Sequence, residues 1–166
     1  GTDGFTLSNS GDVNSNSSTY TSWNWKAGNS QGSSNTDGSI NTTYTSVNTT
    51  AGFSISTYTG TGSNATVGHG LGVAPSLVLV KVLSTGNVWC MYNKALGPTH
   101  YLQFDTSSAV DNAAYWNDTA PTNNVFSIGT ASGVNTSGAT YVAYCFAEKM
   151  LMLMVILFTQ DLNHLL

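Results

Sequence analysis

The residue most suggestive of chemistry is His69, which lies in the glycine-rich run VGHGLG (67–72). A histidine can ligate a metal, but no cysteine or acid stands at a ligand spacing from it, and His100 and His164 stand alone. The run also lacks the lysine of a phosphate-binding loop. We therefore interpret it as a structural turn before the Ala-Pro pair at 74–75, and we expect neither a metal nor a cofactor.

Hydrolysis of a glycosidic bond would need two carboxylates that face each other. Among the eight acids of the chain, the candidates in the complete unit are Asp105, Asp111, Asp118 and Glu148. No pattern pairs any two of them, because Asp111 and Asp118 are predicted in loops and Glu148 at the end of a strand. The sequence also lacks a Gly-x-Ser-x-Gly elbow for a serine nucleophile. These features predict a protein that is not an enzyme.

The cluster YWND (115–118) has the residue types of a sugar-binding site. Such sites often combine an aromatic face with amide or carboxylate groups that bind hydroxyls. On this interpretation Trp116, Asn117 and Asp118 bind a ligand. On the alternative, which we favour, Trp116 packs in the core and the next two residues form a turn before Pro121.

The composition narrows the choice of partners. Charged residues make up 7% of the 166 residues, against roughly 25% in ordinary domains, and arginine is absent. A net charge of −4 gives no electrostatic footprint for nucleic acid or an anionic membrane. The apolar run at 150–158 is shorter than the roughly 20 residues of a spanning helix, so we expect no membrane insertion.

The two cysteines, Cys90 and Cys145, are too few for a disulfide framework. They either form one bridge or, as we favour, are two small buried apolar side chains.

Strand signals run through most of the chain. The segment SLVLVKVL (76–83) is typical of a buried strand, and with NVWCMYNK (87–94) it predicts a hairpin. ATYVAYCFAEK (139–149) alternates between two apolar faces. Further strands are predicted at 38–47, 52–60, 65–70, 100–106 and 124–130. About eight to ten short strands predict an all-β fold, an antiparallel β-sandwich that resembles a jelly roll.

Two segments of the chain align without a gap. They are FTLSNSGDVNSNSSTYTSWNWKAG (5–28) and FSIGTASGVNTSGATYVAYCFAEK (126–149). The alignment matches phenylalanine at the start, Val-Asn and Thr-Tyr pairs within, and aromatic residues near the end. We predict that each segment is a hairpin, with a short strand, a turn around Val-Asn and a long strand that closes a repeat unit.

This alignment predicts the domain organisation. Residues 1–28 are the closing hairpin of an upstream unit and residues 29–149 are a complete β-sandwich unit, so we expect the chain to begin inside an array. Residues 150–166 form an atypical apolar tail, rich in leucine and methionine. The tail is either a segment that docks on the core or, as we favour, the product of a reading-frame shift after Lys149.

Several motifs resemble a known family. GHGLGVAP (68–75), YWNDTAP (115–121) and TYVAYCFAEK (140–149) are similar to a family of domains of unknown function. That family is found in tail and other virion structural proteins of marine bacteriophages, often beside concanavalin A-like (laminin-G-like) lectin modules. Two departures are Cys90, where we expect another residue, and the tail, where a GYTG-like continuation is expected.

The resemblance implies a non-enzymatic structural or adhesive module of a virion appendage, such as a tail fibre. Such a module lies on the surface of the particle and presents loops to a host surface. The partners implied are other copies of the repeat, other virion proteins and a glycan of the host surface. The alternative function is a carbohydrate-binding, lectin-like module.

Overall fold

The computed structural model describes residues 4–104 and 109–148. Nine strands occur in these ranges: β1 (Tyr44–Asn48), β2 (Phe53–Thr59), β3 (Ala65–Gly68), β4 (Leu77–Val82), β5 (Cys90–Asn93), β6 (His100–Gln103), β7 (Val110–Asp111), β8 (Val125–Ile128) and β9 (Thr140–Phe146). Three helical turns accompany them: α1 (Gly11–Asn14), α2 (Ala113–Trp116) and α3 (Ser132–Asn135).

The strands form two antiparallel sheets. The larger sheet has seven strands in the order β1-β2-β9-β4-β5-β6-β7, and the smaller sheet pairs β3 with β8. One core, with side chains from both sheets, lies between them. The structure confirms the predicted all-β antiparallel sandwich of about eight to ten short strands.

Strand β4 shows how the sequence produces the two faces of the larger sheet. Val78, Val80 and Val82 point into the core and are fully or almost fully buried, while Leu77 and Leu79 lie on the outer face. Successive side chains of a strand alternate between faces, so an apolar run, here interrupted by Lys81 alone, fills both. Each buried valine stabilises the fold by about 1.5–3 kcal/mol relative to an exposed one.

The smaller sheet covers the inner face of the larger one. Phe126 and Ile128 of β8 and Val67 of β3 are buried in the shared core. The Tyr58 ring on β2 contacts Phe126 edge-on, with ring centroids 6.4 Å apart, and stacks on Tyr141 of β9 at 5.1 Å. These aromatic contacts join the two layers.

Strand β9 is central to the larger sheet. It pairs antiparallel with β2 on one side and β4 on the other, so that Phe146 lies opposite both Phe53 and Leu77. The backbone groups of β9 are therefore used on both edges, and its removal would divide the sheet.

Of the three predicted hairpins, the one at 76–94 is confirmed, and those in the aligned segments 5–28 and 126–149 are wrong, since residues 4–28 contain no strand. β4 and β5 pair antiparallel, with Val80 opposite Cys90. β8 and β9 do not pair with each other, because β8 belongs to the smaller sheet and β9 to the larger. Between them α3 and a left-handed turn at Gly138 (φ 76°) carry the chain from one sheet to the other. We therefore call residues 126–148 the closing segment.

The outer face of the larger sheet carries a smaller apolar cluster around Phe53 and Phe146. Their rings lie 4.8 Å apart, and Tyr144 stacks against Phe53 at 6.4 Å.

Some predictions fall on residues that the structure does not describe. The tail at 150–166, Lys149, His164 and Asp105 lie outside the described residues. Within the described ranges, the chain has no helix with the length and apolarity needed to cross a membrane.

Candidate functional site

The closing segment turns the corner between the two sheets around the hydroxyl of Tyr141. This hydroxyl accepts a hydrogen bond from the Thr136 backbone N–H (2.7 Å) and donates one to the Ser132 carbonyl oxygen (2.7 Å). The ring itself is fully buried. One side chain thus satisfies two backbone groups at the ends of a four-residue helical turn, which has too few internal hydrogen bonds to persist alone.

Asn135 completes this corner from inside the core. Its side-chain N–H groups donate to the carbonyl oxygens of Gly129 (2.8 Å) and Ser63 (2.6 Å). Its side-chain oxygen accepts from the Thr61 backbone N–H at 2.7 Å. Because the residue is fully buried, these three bonds compensate for the loss of water around the amide.

The same corner occurs a second time, in residues 5–27, which we call the N-terminal copy. The Tyr20 hydroxyl accepts from the Ser15 backbone N–H (2.8 Å) and donates to the Gly11 carbonyl oxygen (2.8 Å). Asn14 donates from its side chain to the Ser8 carbonyl oxygen at 3.2 Å. In the gap-free alignment each of these residues corresponds to the residue that makes the same bond in the closing segment.

The backbone repeats as well. The helical turn α1 aligns with α3, and in both the last residue's N–H bonds to the carbonyl oxygen of the residue before the turn, at 2.9 Å. Ser17 has a φ of 65°, and the aligned Gly138 has a φ of 76°. A serine rarely adopts this left-handed conformation, so its occurrence at the aligned position supports a repeated structure rather than a chance similarity.

The surroundings of the two segments differ. In the closing segment Phe126, Val134 and Tyr141 are at most 1% exposed, whereas their counterparts in the N-terminal copy are 59%, 41% and 46% exposed. Within residues 4–28, all of which the structure describes, the chain forms α1 and no strand. The N-terminal copy therefore has the corner of a closing segment, but neither its strands nor a sandwich around it.

The end of the N-terminal copy contacts the outer face of the larger sheet. The Trp25 ring lies 5.5 Å from Phe146, edge-on, and 6.3 Å from Phe53. Just beyond it, the Gly28 N–H donates to the Ser46 hydroxyl on β1 at 3.0 Å. This contact holds the N-terminal copy against the edge of the complete unit.

A groove of about 450 Å³ opens beside this contact, between residues 25–31 and strands β1 and β2. The exposed rings of Trp25 and Tyr44 form part of its wall. Gln31 adds an amide.

These geometric observations can be compared with known proteins. A family model described as a domain of unknown function, DUF7483, matches residues 1–151. The chain belongs to this family. The DUF7483 match includes both the N-terminal copy and the complete unit, so the two occur together in the family domain. Searches of curated proteins and of solved structures gave no match.

The predicted ligand-binding residues occupy two different environments. Trp116 is 2% exposed in the core, with its ring edge-on to Tyr92 at 6.0 Å, so its face does not meet solvent. Asn117 and Asp118 are exposed and have consecutive left-handed φ angles of 52° and 46°. Asn64 donates to the Asn117 side-chain oxygen at 2.6 Å. This is the turn-and-core arrangement of the favoured alternative.

His69 is a fully buried structural residue. Its Nδ1 accepts from the Leu71 N–H at 3.1 Å, and its Nε2 lies 3.1 Å from the Thr122 carbonyl oxygen, so the neutral ring with a proton on Nε2 satisfies both contacts. Burial lowers the pKa of His69, against smaller opposing effects of the Thr122 hydrogen bond and of Asp37. The next glycine, Gly70, has a φ of 69°, as the predicted turn requires.

The remaining candidates are separate from one another. Glu148 pairs with Lys94 at 3.2 Å on the surface. Cys90 and Cys145 are both free and buried, and burial raises the pKa of each thiol to about 12. Among the residues that the structure describes, no group of three or more histidines, cysteines or acids could hold a metal ion.

The most informative residues of the site, Tyr141 and Asn135, were not singled out from sequence. Their signal was present in the alignment, which matches Asn14 to Asn135 and Tyr20 to Tyr141. Tyrosine and asparagine are common in this chain, however, and their hydrogen bonds join backbone groups that no sequence pattern identifies.

Proposed function

We propose that this DUF7483 chain is a non-enzymatic structural and adhesive module of a virion appendage, such as a phage tail fibre. Repeated sandwich units build the appendage on the surface of the particle. The partners of the module are other DUF7483 units and virion proteins, with a glycan of the host surface as a further contact.

The observation that carries this proposal is the duplicated corner. Both hydrogen bonds of the Tyr141 hydroxyl recur at Tyr20, and one of the three side-chain bonds of Asn135 recurs at Asn14. Repetition of a structural element within a chain is typical of arrays, in which each unit contacts its neighbours. The assignment to a virion comes from the sequence resemblance, and the duplicated corner supports the repeat part of the proposal.

The non-enzymatic part rests on the candidate groups. Glu148 forms an exposed ion pair with Lys94, and the lowered pKa of His69 goes with two backbone contacts that fix its ring. Both thiols are buried and protonated at neutral pH. The described groups with altered pKa values are thus used in packing rather than aimed at a cleft.

Immunogold labelling tests the location. Antibodies against the folded chain should label the appendages of intact particles whose genome encodes it. Label confined to lysed host cells would contradict the proposal. In parallel, polysaccharides incubated with the chain should yield no new reducing ends. A yield that disappears in Asp111→Asn or Asp118→Asn would identify a depolymerase instead.

The groove beside Trp25 favours a second candidate, a carbohydrate-binding module. Its two exposed aromatic rings, Trp25 and Tyr44, are 39% and 41% exposed and could stack on sugar faces, while Gln31 could bind hydroxyls. Asn117 and Asp118 remain a predicted second group of hydroxyl ligands.

Binding to a glycan array distinguishes the two sugar-binding regions. If the groove binds, Tyr44→Ala should abolish the signal, while Leu96→Ala, at a surface residue outside the groove lining, should leave it unchanged. If the turn binds instead, Asp118→Ala should abolish the signal. Absence of any bound glycan would contradict the candidate.

A further inference from the structure

Within residues 4–104 and 109–148, the N-terminal copy has four backbone or side-chain groups that lack a hydrogen-bond partner although their counterparts in the closing segment have one. In the closing segment, these four polar groups form hydrogen bonds with the loop at residues 60–62, which follows β2. The Gly62 N–H donates to the Asn135 carbonyl oxygen (2.9 Å), the Thr61 N–H to the Asn135 side chain (2.7 Å), the Gly60 N–H to the Ala139 carbonyl oxygen (2.9 Å), and the Gly138 N–H to the Gly60 carbonyl oxygen (2.9 Å).

The counterparts of these four groups are the Asn14 backbone carbonyl oxygen, the Asn14 side-chain oxygen, the Ser18 carbonyl oxygen and the Ser17 N–H. In the described part of the chain none of the four has a protein hydrogen-bond partner. The pattern of these groups matches one loop conformation, that of residues 60–62. The four groups therefore define the backbone conformation that a partner must have, which exposed apolar area alone would not do.

Apolar surface points to the same partner. Phe5, Leu7 and Val13 are 59%, 46% and 41% exposed, although their counterparts Phe126, Ile128 and Val134 are buried between two sheets. The large hydrophobic residues of a folded segment are normally covered, and these align with residues that a sandwich covers.

We infer that the N-terminal copy is the closing segment of another DUF7483 unit, where residues 19–25 insert as the central strand between the counterparts of β2 and β4. This inference rests on the repeat architecture of the proposed function and specifies the contact between neighbouring units. The chain itself shows the occupied site, since β9 fills it here with seven pairs to β2 and six to β4. Strand addition of this kind uses backbone hydrogen bonds for affinity and side-chain pockets for specificity.

The partner unit is similar to this one but not identical. Asp12 aligns with Gly133, and a Cβ at Gly133 would lie 2.5 Å from Cys90 Sγ. Asn24 aligns with Cys145, which is fully buried. Ser8 aligns with Gly129, where a Cβ would collide with the Ala114 backbone. A unit that accepts the N-terminal copy therefore has a smaller side chain where this unit has Cys90, a polar partner near the position of Cys145, and more space beside the backbone at the counterpart of Ala114.

A fusion protein tests the inference. Residues 29–124 are placed directly before residues 4–166, so that the N-terminal copy follows β7 and α2 of the added part in the alignment register. Ser8→Gly, Asp12→Gly and Asn24→Cys remove these three mismatches. Hydrogen exchange at residues 19–25 is measured in the fusion and in the original chain.

We expect the amides of 19–25 to exchange about 100-fold more slowly in the fusion, approaching the rates of 140–146. Val13→Asp should abolish this protection in the fusion, because its counterpart Val134 is fully buried. In the original chain Val13→Asp should leave the unfolding of the complete unit unchanged.

A second fusion is the control for folding of the added part. It places residues 29–148, with their own closing segment, before residues 29–166. If the control forms two folded units and residues 19–25 exchange in the test fusion as fast as in the original chain, the inference is overturned. That result would leave immunogold labelling of the appendage unaffected, so the two proposals fail separately.

Discussion

Tyr20 and Tyr141 each accept one backbone N–H and donate to one carbonyl oxygen, and they do so at aligned positions of the same chain. One of the two tyrosines is fully buried and the other is 46% exposed. The corner is thus repeated while its environment is not. This comparison within one molecule separates what the local sequence determines from what the sandwich adds.

The two tyrosines predict a matched pair of mutational effects. Tyr141→Phe removes both hydrogen bonds from a buried position, so it should reduce the free energy of unfolding by about 2 kcal/mol. Tyr20→Phe removes the same bonds outside the complete unit and should change that free energy by less than about 0.5 kcal/mol. Urea titration of the wild type and both variants measures the difference. Equal losses in the two variants would contradict the assignment of the corners.

Trp116 distinguishes a core residue from a ligand. Its ring fills the core, so Trp116→Ala should reduce the free energy of unfolding by about 3–5 kcal/mol. Asn117→Gly, at the adjacent left-handed residue, should cost less than about 1 kcal/mol, because glycine readily adopts a φ of 52°. Thermal unfolding of both variants tests this. A Trp116→Ala protein with unchanged stability and lost glycan binding would restore the ligand interpretation.

The environment of His69 predicts a pH dependence of stability. Its lowered pKa means that the unfolded chain, with an ordinary histidine pKa of about 6.5, binds the proton more readily than the native state. The contribution of His69 is therefore complete above about pH 6.5 and decreases as the pH falls towards the native pKa. Urea titrations between pH 8 and pH 5 should show this decrease.

Two histidine variants show whether His69 causes this loss of stability at lower pH. His69→Asn should be less stable than the wild type but should show a smaller change between pH 8 and pH 5. His100→Gln, at a partly exposed histidine on β6, should retain the wild-type change. An unaltered pH dependence in His69→Asn would show that another group is responsible.

The two thiols predict a test by chemical modification. Both are buried with a pKa of about 12, so neither Cys90 nor Cys145 should react with a thiol reagent in the native protein at pH 8. Both should react once the protein is unfolded in guanidinium. A single thiol that reacts within minutes under native conditions would contradict the described packing. Absence of reaction in guanidinium without reductant would indicate a disulfide.

The sequence is informative where apolar residues are many and regularly spaced. β4 is predicted from an apolar run that covers both faces and β9 from alternation over seven residues, and the β4–β5 hairpin is predicted because its connection is short. The gap-free alignment also locates both copies of the closing segment from residue types alone. These features depend on neighbouring residues, which a sequence presents directly.

Other features depend on distant residues and escape prediction. β7 has two residues and each helical turn has four, too few for a recognisable period. The closing segment is predicted as a hairpin because its two strands are close in sequence. Their partners, β3 for β8 and β2 and β4 for β9, are instead remote in the chain. Trp116 illustrates the same limit, since the YWND pattern suits both a sugar site and a core turn.

Nuclear magnetic resonance of the whole chain tests the central claim, that one closing corner is formed twice, most directly. The measurement is the nuclear Overhauser effect between each tyrosine ring and the backbone amide whose N–H donates to the hydroxyl of that tyrosine. We predict that Tyr20 shows this effect to Ser15 as Tyr141 does to Thr136, with a positive φ at Ser17. An effect from Tyr141 alone, with a negative φ at Ser17, would contradict the repeated corner and the array proposed from it.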